Sequence, residues 1–383
     1  MDRPGLGARG HWLETQARDL VSNQTVVQVD SEASVEEACD ALIENKIQSV
    51  PLYDSQSHSY VGMFDLHDLA AYILAKRTTS AAAGPMRERS LSQCSGSSPL
   101  MRRATSHQVE DKGGSVVSEI SDLSRLDPFY SVVPETTVAQ AAMVFAKGAH
   151  RVAVMESERT IRGILSQARV VRYFFERSNE GGATDAEQAL LDRPLESLGL
   201  VTHDVMCARP DMPVVKALSL LESCRISSLA IVDEKQCLVG NLSLADVKYL
   251  ARERHLVNAS CIELVRASRY LQGLQDGKDR AAVFSVRPQA TLRYVLAKLI
   301  ATGAHRMWIT EPGEQTPQRA ESVSSVASSR GRRASVSSVS DYTVPVAPAH
   351  FAGAFGDTVC GVVSLTDILR LVMDVAPQSN NNA

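Results

Sequence analysis

No stretch of this 383-residue sequence approaches 18 consecutive apolar residues, so none is long enough to cross a bilayer as a helix. The phosphate-loop pattern GxxxxGKS/T is missing, and so are GxSxG and HExxH. The commonest sequence signatures of nucleotide hydrolysis, serine hydrolysis and zinc proteolysis are therefore lacking. No CxxC pair occurs among the seven cysteines at 39, 94, 207, 224, 237, 261 and 360. Their odd number and scatter speak against a disulfide framework or a zinc site and fit a reducing compartment. A basic excess is lacking too: 40 Lys and Arg stand against 44 Asp and Glu, which disfavours a general nucleic-acid binder. The first residues, MDRPGLGARGHWLETQ, contain no apolar run of signal-peptide length. The expectation is a non-enzymatic protein of the cytoplasm or nucleus, with no metal, no cofactor, and no nucleic-acid or membrane partner.

What the sequence does have is one pattern used four times. A short apolar strand runs into a turn. A helix with apolar residues at helical spacing follows, then two strands, the second ending in Gly and two apolar residues, and a turn opens a last helix. The helices read SVEEACDALIENK, TVAQAAMVFAKG and TLRYVLAKLIATG in copies one, two and four. The closing segments read GMFDLHDL (62–69), GILSQARV (163–170), GNLSLADV (240–247) and GVVSLTDI (361–368). Each copy is too small to bury its own strands, so the copies should pair, one with two and three with four.

This gives an N-terminal segment (1–19), repeat one (20–76), a Ser/Arg-rich linker (77–118) and repeat two (119–178). Repeat three (195–250), a helical linker (251–281), repeat four (282–374) and a tail (375–383) follow. Residues 313–350 include ESVSSVASSRGRRASVSSVS and read as an insertion in a hairpin loop of repeat four. Their composition and that of 77–118 predict disorder, and loop-closure cost grows slowly with length. Arg-Glu-Arg-Ser (87–90), Arg-Arg-Ala-Thr-Ser (102–106) and Arg-Arg-Ala-Ser (332–335) resemble basophilic kinase sites. Ser90, Thr105 and Ser335 are the candidate acceptors, each gaining about −1.5 to −2 charges on phosphorylation; an ordinary polar loop is the alternative.

Ser364-x-x-Asp367 follows a strand and opens a helix, where free backbone N–H groups favour anions. A carboxylate there can accept two bonds from vicinal hydroxyls, although a plain capping box has the same sequence. Asp246 after Ser243 and Asp68 after Asp65 repeat the arrangement. His150-Arg151 and His305-Arg306 precede equivalent strands. Arg offers phosphate a bidentate fork, and His adds a donor that charges near neutral pH. Lone histidines such as His67 and His203 read as ordinary surface or core residues.

The four-fold pattern resembles the CBS domain, which pairs into Bateman modules. It is most similar to the gamma subunit of AMP-activated protein kinase and its fungal relatives. IQSVPLYDSQSHSYVGMFDLHDL (47–69), AHRVAV (149–154), RISSLAIVDEKQCLVGNLSLADV (225–247), AHRMWI (304–309) and CGVVSLTDILRLVM (360–373) carry the likeness. It implies an α/β fold of two Bateman modules in a pseudo-symmetric disc. It also implies adenine-nucleotide sensing (AMP, ADP or ATP) within a Ser/Thr protein kinase complex having alpha- and beta-type subunits. The alternative is a stand-alone regulator of a protein phosphatase, as in certain fungal four-repeat proteins acting in stress and cell-cycle control.

By position, the resemblance makes Asp68, Asp246 and Asp367 ribose-binding and His150, Arg151, Arg225, His305 and Arg306 phosphate-binding. Ser243, Ser364, Thr366 and Arg169 would support them. Arg169 replaces the acid in copy two, as the family's second repeat also lacks it. Gln48 stands where the family has an Arg, and Met212 where it has a Thr.

Overall fold

The computed structural model describes residues 11–82, 115–201, 205–277, 283–313 and 356–375. A 3-10 turn (Trp12–Glu14) leads into α1 (Ala17–Val21). Repeat one is β1 (Val29–Asp30), α2 (Val35–Glu44), β2 (Ser49–Asp54), β3 (Ser59–Asp65) and α3 (Leu66–Ala82). The short α4 (Val117–Ile120) precedes repeat two: β4 (Ser131–Val132), α5 (Val138–Ala146), β5 (Arg151–Ser157), β6 (Thr160–Ser166) and α6 (Gln167–Asn179). α7 (Asp185–Leu191) and a 3-10 turn (Leu195–Leu198) lead to repeat three: β7 (Cys207–Ala208), α8 (Val214–Ser223), β8 (Ser228–Val232), β9 (Leu238–Ser243) and α9 (Leu244–Val247). α10 (Cys261–Asp276) precedes repeat four: β10 (Ser285–Val286), α11 (Leu292–Thr302), β11 (Arg306–Pro312), β12 (Asp357–Ser364) and α12 (Leu365–Val375).

Each repeat is a three-stranded sheet in sequence order. The first strand pairs parallel to the second, and the second antiparallel to the third. The helices start where the sequence places their caps. Ser34 with Glu37 and Thr137 with Gln140 form capping boxes, each satisfying two otherwise orphaned N–H groups. Just past α2, α5, α8 and α11 the chain turns through Lys46, Gly148, Arg225 and Gly303, at φ 56°, 115°, 52° and 66°. Glycine meets that left-handed requirement without strain in repeats two and four; Lys46 and Arg225 adopt it at about 1–2 kcal/mol.

The apolar faces are covered in two ways. Within the pairs one–two and three–four, the segment leading into each repeat crosses to its partner. Trp12, Ala17, Leu20 and Val21 lie in the core of repeat two, and Ala17 N–H donates to the Thr136 carbonyl. Val117 and Ile120 lie in the core of repeat one, where Val117 N–H donates to the Ala33 carbonyl. Leu195 and Cys261 do the same for repeats four and three, through Ala290 and Met212. Gly163 permits one crossing: a Cβ there would lie 2.5 Å from Cβ of Val21.

The helix faces, by contrast, pack across the pairs. α12 lies on α5 and α6, and α3 lies on α8 and α9. One core therefore joins repeats two and four, with Phe145, Leu165 and Phe174 against Leu296, Ile368 and Val372. The other joins one and three, with Leu42, Leu52 and Phe64 against Leu218, Leu221 and Leu242. Two Bateman modules thus close on each other into the expected disc. Helix α3 and helix α4 also extend into the interval read as linker. Ser90, Thr105, Ser335, His203 and most of 77–118 and 313–350 lie outside the described residues. Among the described residues no helix is long and apolar enough to cross a membrane.

Candidate functional site

Where the repeats meet, a cavity of about 930 Å³ is lined by residues of all four. The sheet register fixes which positions face it. Arg151 pairs with Ser166, Ser228 with Ser243, Arg306 with Ser364 and Ser49 with Asp65. Strand starts are thus Ser49, Arg151, Ser228 and Arg306, each preceded by Gln48, His150, Ser227 and His305. All eight line the cavity.

The cations at the strand starts come from repeats two and four, and Lys46 of repeat one and Arg269 of α10 also line the cavity. His150 and Arg151 enter at the start of β5, His305 and Arg306 at the start of β11. Arg306 donates to the Ser227 hydroxyl of repeat three. Nη1 of Arg151 is buried without a hydrogen-bond partner, so half of that fork is unused. Enclosure by protein, together with the charges of Arg151, His150 and Arg306, lowers His305 to about 4 although the ring is reached from the cavity. Burial lowers His67 to about 4 as well, Asp127 opposing and the cations reinforcing it. The His67 and His150 rings stack with centroids 6.1 Å apart. A cavity lined by Arg151, Arg269, Arg306 and Lys46, with histidines that are able to charge, suits a polyanion.

The acids differ among themselves. Asp367 accepts from Ser364 N–H at 2.9 Å and from the Ser364 hydroxyl at 2.6 Å, both through Oδ2. Its charge acts on Arg306, which burial lowers to about 10. Beside it Thr366 hydrogen-bonds Gln167 of repeat two. Asp246 is fully buried; Oδ2 accepts from Ser243 and Oδ1 from the Ser268 hydroxyl at 2.6 Å. Asp68 is buried as well, and its oxygens accept from the backbone N–H groups of Asp65, Asp122 and Ser124. Burial raises Asp68 to about 6. None of the three expected ribose acids is among the residues lining the cavity. Protein donors hold both oxygens of Asp246 and Asp68, whereas the Ser364 bonds to Asp367 go to Oδ2, and Ser364 and Thr366 line the cavity.

Arg225 also departs from its expected place. It is exposed on the left-handed turn after α8 and does not line the cavity. The register makes it the counterpart of Gly148 and Gly303, and Ser227-Ser228 the counterpart of His-Arg. Arg169 donates to the Leu20 carbonyl of α1, tying the leading segment to repeat two.

The CBS domain family model matches residues 17–75, 117–176 and 196–253. Protein SDS23 of Yarrowia lipolytica is 32% identical over 368 residues, covering 94% of this chain and 66% of that protein. Protein sds23 of Aspergillus niger is 31% identical over 381 residues, covering 94% and 72%. The chain belongs to the SDS23 family of CBS-domain proteins. It spans about two thirds of the length of these SDS23 relatives. Among solved structures, this SDS23-family fold matches Protein MJ1225 of Methanocaldococcus jannaschii, which has been proposed as an archaeal homologue of gamma-AMPK. The TM-score is 0.59 at 12% identity, covering 93% of this chain and 99% of that one. That likeness shows the four-repeat fold.

Sequence reasoning missed three residues in or beside the cavity: His67, Asp65 and Asp127. Aligning closing segments by register places His67 opposite Thr366 and Asp65 opposite Ser364, a signal the sequence did carry. Asp65 caps α3 through Oδ1, while its buried Oδ2 has no partner. Burial and the neighbouring Asp68 raise it to about 8. Asp127 sits in the loop before β4, where the repeats share no pattern. Its buried carboxylate takes 2.6 Å and 3.0 Å hydrogen bonds from Nδ1 and the backbone N–H of His150. Burial would raise Asp127, but those bonds and Arg151 outweigh it and hold the group below the ordinary carboxylate value.

Proposed function

We propose that this CBS-domain regulatory protein binds an adenine nucleotide in the central cavity and relays its presence to a protein partner. One observation carries the reading: His150, Arg151, His305 and Arg306, brought from two repeats, line one cavity in which a guanidinium nitrogen is buried and unpaired. Phosphates would lie on these groups. The ribose would lie on Asp367, reached past Ser364 and Thr366, which line the cavity.

For the partner we propose a protein phosphatase acted on by a stand-alone regulator, in preference to kinase alpha- and beta-type subunits. The SDS23 relatives match along 94% of the chain, whereas the gamma-like likeness is one of fold at 12% identity. Calorimetric titration of the full chain with AMP, ADP and ATP tests the ligand. No binding at millimolar nucleotide would overturn it. Affinity purification followed by identification of the co-purifying catalytic subunit tests the partner. Recovery of kinase subunits alone would restore the kinase reading.

A further inference from the structure

The segment between α4 and β4 touches both kinds of group that a nucleotide would use. At one end, the Asp122 and Ser124 N–H groups donate to Oδ2 and Oδ1 of Asp68, at 3.2 Å and 2.9 Å. At the other end, the Asp127 carboxylate lies 2.6 Å from Nδ1 of His150 and 3.6 Å from Nη2 of Arg151. Two donors thus sit on the first repeat's ribose-type acid, as vicinal hydroxyls would. An anion sits on the phosphate-type pair, as a phosphate would.

We propose that residues 122–127 are a built-in nucleotide mimic that occupies Asp68, His150 and Arg151 until a nucleotide displaces it. This rests on the adenine-nucleotide reading above. The segment is built for release. Asp122, Leu123 and Arg125 are exposed, and Asp122 and Arg125 hold left-handed backbone at φ 59° and 55°, which non-glycine residues adopt only under constraint. The mimic is also an incomplete anion. A single carboxylate leaves Nη1 of Arg151 unpaired, and a phosphate with its additional oxygens can engage both edges of the fork. Besides His150 and Arg151, the titratable groups whose charges reach Asp127 are His67 and Asp65.

The test is titration of the full chain and its Asp127→Asn variant with AMP. Asn keeps the shape and removes the charge. The variant is expected to bind AMP about 10-fold tighter, or to take up a second equivalent. Unchanged or weaker binding would overturn the proposal and make Asp127 a positioning residue for His150. Should the variant fold poorly, hydrogen exchange on the wild-type chain decides. Saturating AMP should raise exchange in peptides spanning 121–127 while slowing it at 303–308. Slower or unchanged exchange at 121–127 would refute displacement. Wild-type AMP binding without this response sinks the mimic alone, whereas no binding by either protein sinks the nucleotide reading and the mimic together.

Discussion

The Ser268 hydroxyl lies 2.6 Å from Oδ1 of Asp246 and closes the third repeat's acid from the α10 side. Ser243 closes it from the other. Asp246→Ala should therefore act on stability. It removes a cap and strands a buried hydroxyl, together about 2–3 kcal/mol. Urea unfolding should show the loss, while AMP affinity of the folded fraction stays within about two-fold. Asp367→Ala also removes a cap, at about 1 kcal/mol, but it should in addition weaken AMP binding by about 10-fold to 150-fold. Equal effects of the two variants on binding would mean that Asp246 opens to ligand.

Arg306 should recognise phosphate and not the base. Arg306→Ala is expected to lower AMP affinity by about 10-fold or more and to leave adenosine affinity nearly unchanged. Titration with both ligands checks this. Parallel losses would indicate that the contact with Ser227 matters to the fold instead.

Nucleotide binding should take up protons near pH 6. His67 and His305 are held near 4 in the free protein, with Arg151 and Arg306 beside them. A bound phosphate favours their charged forms. Calorimetry in buffers of different ionisation heat would register the uptake, and a buffer-independent heat would contradict it. The same depressed values fix a stability trend. The unfolded rings protonate near 6.5, the native ones only near 4, so this contribution is complete above 6.5 and is lost as pH falls toward 4.

Asp65 has the opposite sign. Its native value, about 8, lies above the unfolded value of 3.8. The native state keeps a proton that the unfolded chain releases, so stability falls as pH rises from about 4 to 8. Asp65→Asn imitates the protonated form and can still cap α3. It should stabilise the protein by about 1–3 kcal/mol at pH 8 and by almost nothing at pH 4. Denaturant unfolding at the two pH values decides, and a pH-independent effect would count against the assignment.

Gly163→Ala should destabilise the protein by about 1–3 kcal/mol, because the new Cβ meets Val21 of the crossing segment at 2.5 Å. A thermal melt checks it. An unchanged melting temperature would show that α1 is not held against β6.

The repeats were legible because helical and strand periodicities survive in each copy, and because capping pairs such as Ser34–Glu37 mark helix starts. The partner of each apolar face was not. The faces of α3 and α12 carry the same kind of residues whichever helix covers them. Arg225 shows a second limit. Its place beside Ile226 looks like that of His-Arg until strand pairing sets the count and assigns Ser228 to the strand start. Asp246 shows a third: a capping box and a ribose site are spelled alike, and only Ser268, 22 residues on, separates them. His67 was readable and underweighted, whereas Asp127 lies in a loop with no recurring signal.

The crossing segments set a timetable for synthesis. Trp12 is made before all four repeats, yet its indole N–H donates to Glu187, 175 residues later in the chain. The helix face of repeat one waits longer still, until Leu218, Leu221 and Leu242 have been made. A nascent chain of this protein therefore carries uncovered apolar helices through most of its translation. Chaperone engagement should peak before the third repeat emerges and fall only when the last repeat closes on the second.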